Sequence, residues 1–155
     1  MFLEILLLII IVIVLVYLFV YFAEVVFSPS SEQYSTGSVC VGETCFKVEL
    51  AKTVYQIEKG LMYRKELDKD AGMLFIFEKE GIYPFWMKNT LIPLDIIWVD
   101  NGSRVVFISQ NTQPCKSLIC KSVFPNSKAK YVLEVNAGVV DKIGLKVGDS
   151  LKINY

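Results

Sequence analysis

Histidine is absent from all 155 residues of this chain, and that one absence removes a large part of enzyme chemistry. Ser-His-Asp and Cys-His nucleophile systems, histidine general bases and histidine-ligated metals cannot be built. Basic residues are missing from the first 46 positions, because all 16 lysines and arginines come later. From residue 38 onward, 16 basic residues face 13 acidic ones, a surplus of three. That is too little to mark a nucleic-acid partner. No G-x-x-x-x-G-K-[ST], G-x-G-x-x-G or EF-hand loop occurs, and no internal repeat. No cofactor and no metal site is expected. The side chains left for chemistry are Lys, Arg, Asp, Glu and Cys.

What the first residues do contain is a long apolar run. From Ile5 to Ala23 the sequence ILLLIIIVIVLVYLFVYFA carries no charge and is bracketed by Glu4 and Glu24. A helix needs about 20 apolar residues to cross the hydrocarbon core, and Tyr17 and Tyr21 suit its interfacial end. The rival is a cleaved signal peptide, but the basic n-region and small-residue cleavage site are not evident. The expected organisation is a transmembrane anchor over 1–24, a serine-containing tether over 25–38, and a compact domain over 39–155. The membrane is then a partner through residues 5–23. The positive-inside rule has almost nothing to count, so the anchor's orientation is left open.

The four cysteines form two pairs of equal spacing, Cys40-x4-Cys45 and Cys115-x4-Cys120. A two-residue turn at Gly42-Glu43 would set Cys40 opposite Cys45 in a non-hydrogen-bonded pair, with Cα atoms about 4.5 Å apart, within disulfide range. The second pair can close a loop in the same way. A four-cysteine zinc site and free thiols are the alternatives. Paired cysteines behind an apolar helix favour disulfides and an oxidising location outside the cytoplasm.

Within the domain, strands are expected over the Cys40/Cys45 hairpin continuing to Ala51, and over 73–77, 94–99, 104–109, 131–136 and 150–154. A helix follows Thr53, an N-cap whose capping box is completed by Gln56, with Val54, Ile57 and Leu61 as its apolar face. A second short helix over 137–143 ends at Gly144. Asn101-Gly102, between apolar runs, signals a hairpin; with Ser103 it also matches a glycosylation sequon, which the turn explains without sugar. Residues 111–130 read as a long loop pinned by the second cysteine pair. The fold class is therefore α+β: a small, strand-rich, barrel-like mixed domain with two short helices, preceded by one N-terminal transmembrane helix.

Residues 84–99, PFWMKNTLIPLDIIWV, set Lys88, Asn89 and Asp95 in apolar and aromatic surroundings. Unpaired polar groups are costly there. Alternation puts Asp95 with Ile97 and Val99 on one face, and Leu94, Ile96 and Trp98 on the other, so neither face offers Asp95 cheap access to solvent. Asp95 either pairs with Lys88 or Arg64 and holds the fold, or belongs to a cleft where polar groups converge. Glu134, between Leu133 and Val135, poses the same question. Trp86, beside Phe85 and Tyr83, suits stacking on a ligand or packing in the core. Met62, Met73 and Met87 read as core filling rather than copper ligands.

The segments Gly60-Leu61-Met62-x-Arg64, Gly72-Met73-Leu74-Phe75-x-Phe77, Phe85-Trp86-Met87-Lys88-Asn89-Thr90 with Pro93-Leu94-Asp95, and Tyr131-Val132-Leu133-Glu134-Val135-Asn136-Ala137-Gly138 with Gly148-Asp149 carry a resemblance. Over about residues 46–155 the chain resembles domain of unknown function 192, also called uncharacterised protein family 0127. The resemblance implies a small strand-rich α+β domain, often behind a signal or anchor segment in bacteria and archaea. Members with a cysteine pair ahead of the Tyr-Val-Leu-Glu strand fit Cys115 and Cys120. The family brings no established activity.

The leading expectation is a binding or interaction module for an unknown ligand or envelope protein. Lys88, Asn89 and Arg64 serve as donors, Asp95 orients them, Trp86 and Phe85 form an apolar wall, and Glu134 is a further candidate. Two alternatives stand beside it. One is an enzyme using an Asp95–Glu134 carboxylate pair or a Lys88 nucleophile; the other is a structural component of an envelope complex.

Overall fold

The computed structural model of the protein describes residues 2–26 and 33–155. It divides into two units, 1–33 and 34–155. Within the first, α1 (Phe2–Val26) is a continuous helix of 25 residues, which at 1.5 Å per residue is about 37 Å long. Apart from Glu4, its described side chains are apolar or tyrosine, and they are exposed on every side. Side chains 1–3, 6 and 23–32 lie outside the described residues. Among the described residues no helix is long and apolar enough to cross a membrane. The predicted transmembrane span is thus not carried by the described residues. Most of the expected tether, residues 27–32, also falls outside them.

The second unit contains β1 (Ser35–Val41), β2 (Thr44–Ala51), α2 (Val54–Lys59), β3 (Ala71–Gly81), β4 (Phe85–Trp86), β5 (Leu94–Val99), β6 (Val105–Thr112), β7 (Ser122–Val123), β8 (Ala129–Asn136), α3 (Val139–Ile143) and β9 (Lys152–Asn154). The expected tether is corrected at its end: Ser35 to Ser38 already pair with Leu50 to Lys47. Backbone pairing, rather than side-chain pattern, makes this polar segment a strand. Seven strands form one sheet in the order β6-β5-β8-β3-β2-β1-β9, while β4 and β7 pair separately. The sheet is open in this order, so barrel closure is only partial. Its two ends are tied by an Arg104–Ser150 bridge and by bonds from Val105 N–H to the Asp149 carbonyl and from Leu151 N–H to the Ser103 carbonyl.

The local expectations hold where short-range chemistry decides them. Gly42 takes φ +55° in the β1–β2 turn while Glu43 is not left-handed, the pattern of a type II′ turn. Cys40 faces Cys45 in register, their Cα atoms 4.0 Å apart and their sulfurs bonded. Cys115 and Cys120 form the second disulfide. The Thr53–Gln56 capping box is present. Val54, however, is exposed rather than packed, because a helix this short buries only one or two turns' inner residues. In the β5–β6 hairpin the left-handed residue is Ser103, φ +62°, not Asn101 or Gly102. The connection is a three-residue loop with the extra residue in the left-handed position. The long 111–130 segment also contains β7, which zips onto β4 at Phe85↔Val123.

Strand alternation splits the core in two. One face of the sheet carries Val39, Leu50, Leu74, Ile97, Leu133 and Val135, closed over by Val140 and Leu145. The other carries Met73, Phe75, Ile96, Trp98 and Val132 beneath Phe85 and Met87. Across this second face runs a single row, Glu49–Met73–Glu134–Ile96, set by the β2–β3, β3–β8 and β5–β8 registers. Gly72 lies where a Cβ would come within 2.7 Å of the Glu134 carbonyl oxygen, so only glycine permits that approach of β3 to β8.

Candidate functional site

On the second face, α2 and the residues that follow it lie opposite the 83–90 segment. Between them is a cleft of about 530 Å³, lined by Tyr55, Lys59, Met62, Tyr63, Trp86, Lys88 and Asn89 together with Glu58. On the other side of Trp86 lies a second hollow of about 270 Å³, against the stacked rings of Phe77 and Tyr83, 3.6 Å apart. Trp86 is the wall between them and is 43% exposed. It is therefore not core, whereas its neighbours Phe85 and Met87 are buried. β4 alternation produces this split: residues either side of Trp86 turn inward and its indole turns out.

The mouth of the cleft is held by an interlock. Tyr63 and Asn89 both have left-handed backbones, φ +64° and +57°. Tyr63 N–H donates to the Asn89 carbonyl at 2.8 Å, and Asn89 Nδ2 donates to Tyr63 Oη at 2.7 Å. Asparagine tolerates this backbone region and tyrosine does so at a cost, so the reciprocal bonds offset local strain and fix the turn. Lys88 Nζ lies 5.3 Å from the Trp86 ring centroid, and Lys59 Nζ 5.5 Å from that of Tyr55. Two ammonium groups thus cover the aromatic lining.

Glu134 lines a smaller recess beside the cleft, which shares Glu58, Lys59, Met62 and Trp86 with it. Glu134 is 4% exposed and borders this recess of about 30 Å³ with Gly60, Met62, Phe75, Trp86 and Thr90. Its carboxyl has no hydrogen-bond or ion-pair partner among the described residues. Burial alone pushes its pKa up, to about 8, since an ionised carboxylate in apolar surroundings lacks the solvation it would have in water. Gly60 takes φ +46°, and a Cβ there would meet the Phe75 ring at 3.2 Å and stand 4.0 Å from Glu134 Oε2. The missing side chain leaves the recess open.

Two predicted site residues lie elsewhere. Asp95 is fully buried on the opposite face, opposite Val135 rather than Glu134. Its Oδ1 accepts from Asn111 N–H and its Oδ2 from Val140 N–H, each at 2.8 Å. Asp95 therefore pairs with neither Lys88 nor Arg64. It joins β6 and the first turn of α3 to β5. Arg64 forms a two-pronged ion pair with Glu49 at 2.6 Å, which raises its pKa further. Being on opposite faces, Asp95 and Glu134 are no catalytic carboxylate pair. Of the sequence candidates, Trp86, Lys88 and Asn89 share the cleft and Glu134 borders the adjoining recess. Tyr55, Glu58, Lys59 and Tyr63 were missed, and Met62 was read as core filling; Tyr55, Glu58, Lys59 and Met62 fall on one side of α2 and its continuation. Their i, i+3, i+4, i+7 spacing marks the outer face of α2 and its continuation, a signal that polar residues disguise as plain solvated surface. Among the described residues no cluster suits a metal ion.

The family model DUF192, described as uncharacterized ACR, COG1430, matches residues 38–153. A UPF0127 protein of Thermococcus sibiricus is 26% identical over 110 residues, covering 68% of this chain and 64% of the relative. The chain thus spans just under two thirds of that relative's length. Among solved structures, a candidate transcription regulator from Sinorhizobium meliloti superposes with a TM-score of 0.71 at 33% identity, over 80% of this chain and 98% of that one. A protein of unknown function from Novosphingobium aromaticivorans gives 0.69 at 36% identity, over 80% and 89%.

Proposed function

The chain belongs to the uncharacterised DUF192 family, and from that premise and the cleft geometry we propose that its domain is a binding module for a small organic ligand with an apolar, flat body and an anionic group. The supporting observation is the cleft itself: aromatic rings of Tyr55, Tyr63 and Trp86 line it, and Lys59 and Lys88 stand over two of them. Rings supply contact area at small entropic cost, and convergent polar groups fix orientation. The module is tethered outside the cytoplasm by α1. That part of the reading rests on the uncharged stretch from Ile5 to Ala23 in the sequence and two disulfides suited to an oxidising compartment.

N-acetyltryptophan, an aromatic carboxylate, is the probe. In the full chain held in detergent micelles it binds with Kd on the order of 1 mM, about 4 kcal/mol. NMR shifts concentrate on the Trp86 indole N–H and the Tyr63 and Asn89 amides. Trp86→Ala abolishes them and Lys88→Met weakens binding several-fold. Shifts scattered over the surface, or none at 20-fold the stated Kd, sink the reading.

A further inference from the structure

Most polar groups near the cleft are already committed. Arg64 is taken by Glu49, and Asn89 by Tyr63. The buried carboxyl of Glu134 is not. A carboxyl 4% exposed, without a partner among the described residues, is a costly group to keep in a core. A structural acid in the same sheet looks different: Asp95 has two backbone N–H donors aimed at it. Glu134 instead has an open recess beside it, kept clear by the absence of a side chain at Gly60.

The groups around that recess decide what it accepts. β3 and β5 present Met73 and Ile96 in the same row, neither of which titrates. Glu49, further along the row on β2, is neutralised by Arg64. From α2 come Glu58 and Lys59, both exposed and opposite in charge. From the 83–90 segment come Trp86 and the buried Thr90, with Lys88 in the adjoining cleft. No cation closes on the carboxyl, so below its transition the acid is protonated and carries an O–H with nothing to donate to. A recess of about 30 Å³ admits one water-sized group, which is room for an oxygen and not for a ring.

We propose that Glu134 is the cleft's recognition group, donating a hydrogen bond to a neutral carbonyl-type oxygen that the bound ligand inserts into the recess beside Gly60 and Thr90. The inference deepens the reading of the cleft as a ligand site and rests on it. The ligand's flat body lies against Trp86 and its carbonyl end points inward. Ionisation of Glu134 removes the donor and releases the ligand. Because the acid titrates near 8, about a tenth remains protonated at pH 9, so carbonyl binding falls about tenfold between pH 6 and pH 9.

The test uses the full chain in micelles with two small probes, acetamide as neutral acceptor and methylammonium as cation, read on the Gly60 and Thr90 amides. Acetamide shifts both at pH 6 and about tenfold more weakly at pH 9. Glu134→Gln, which keeps an N–H donor, retains the response and loses its pH dependence. Glu134→Leu loses the response, and its folding is checked by the unaltered dispersion of the remaining amides. Methylammonium shifting the same amides more strongly at pH 9, or an acetamide response indifferent to Glu134→Leu, overturns the proposal. If Trp86 responds to N-acetyltryptophan while Gly60 and Thr90 ignore acetamide, the cleft reading stands and this one fails. If neither probe acts, both fail.

Discussion

Glu134 and Asp95 show how two buried carboxylates in one sheet come to differ. Asp95 has two N–H donors; Glu134 has none, and burial lifts it from 4.5 to about 8. The linkage sign follows from that upward shift. Between pH 4.5 and 8 the unfolded chain has released the proton that the folded one still holds, so the folded state loses stability as pH rises, and the loss levels off above 8. The slope approaches about 1.4 kcal/mol per pH unit at most. Urea midpoints of wild type and Glu134→Gln therefore agree near pH 4 and diverge towards pH 8, with the glutamine variant more stable by a few kcal/mol. Parallel midpoints across that range would mean that Glu134 is solvated or paired. The residue-scale lesson is that sequence identified both acids as anomalous but not which one is satisfied. Satisfaction depends on donors 16 and 45 positions away.

At the scale of elements, α3 has Gly138 as its N-cap and no side chain of its own capping it. Asp95, reaching across from β5, does that work through Val140 N–H, while its other oxygen fixes the β6 tail through Asn111 N–H. Asp95→Ala leaves both donors unsatisfied, one of them buried, and should cost about 3 kcal/mol or more in a denaturant melt. N-acetyltryptophan binding at 10 °C should be unchanged in the folded fraction, because the cap and the cleft occupy opposite faces; a weakened cleft would instead tie Asp95 to the site. The capping box of α2 was legible because all its atoms lie within four residues. The cap of α3 was not legible, since its acid comes from another strand. The same contrast covers the turns. Gly42 could be assigned from two residues, whereas the left-handed Ser103 sits in a longer loop closed by the bond from Asp100 N–H to the Arg104 carbonyl.

For the whole molecule, α1 and the domain are separate units, and the tether reading makes a direct prediction. After alkaline carbonate extraction of cells expressing the chain, the protein should stay with the membranes, and removal of residues 2–26 should release it; recovery of the intact chain in the soluble fraction would end the anchor proposal. The sequence by itself determined the family through its Phe-Trp-Met-Lys-Asn-Thr and Tyr-Val-Leu-Glu segments, the α2 cap and the strand-rich class, and favoured the local disulfide pairs over zinc or free thiols, because each rests on neighbouring residues or on a period of two. Only the tertiary structure decided what the polar residues do. In the β5–β8 pairing Asp95 meets Val135 and Ile96 meets Glu134. A slip of one residue would have brought the two acids to the same face. Register, a product of long-range packing, made Asp95 a structural clasp and left Glu134 without a partner in the recess beside the cleft.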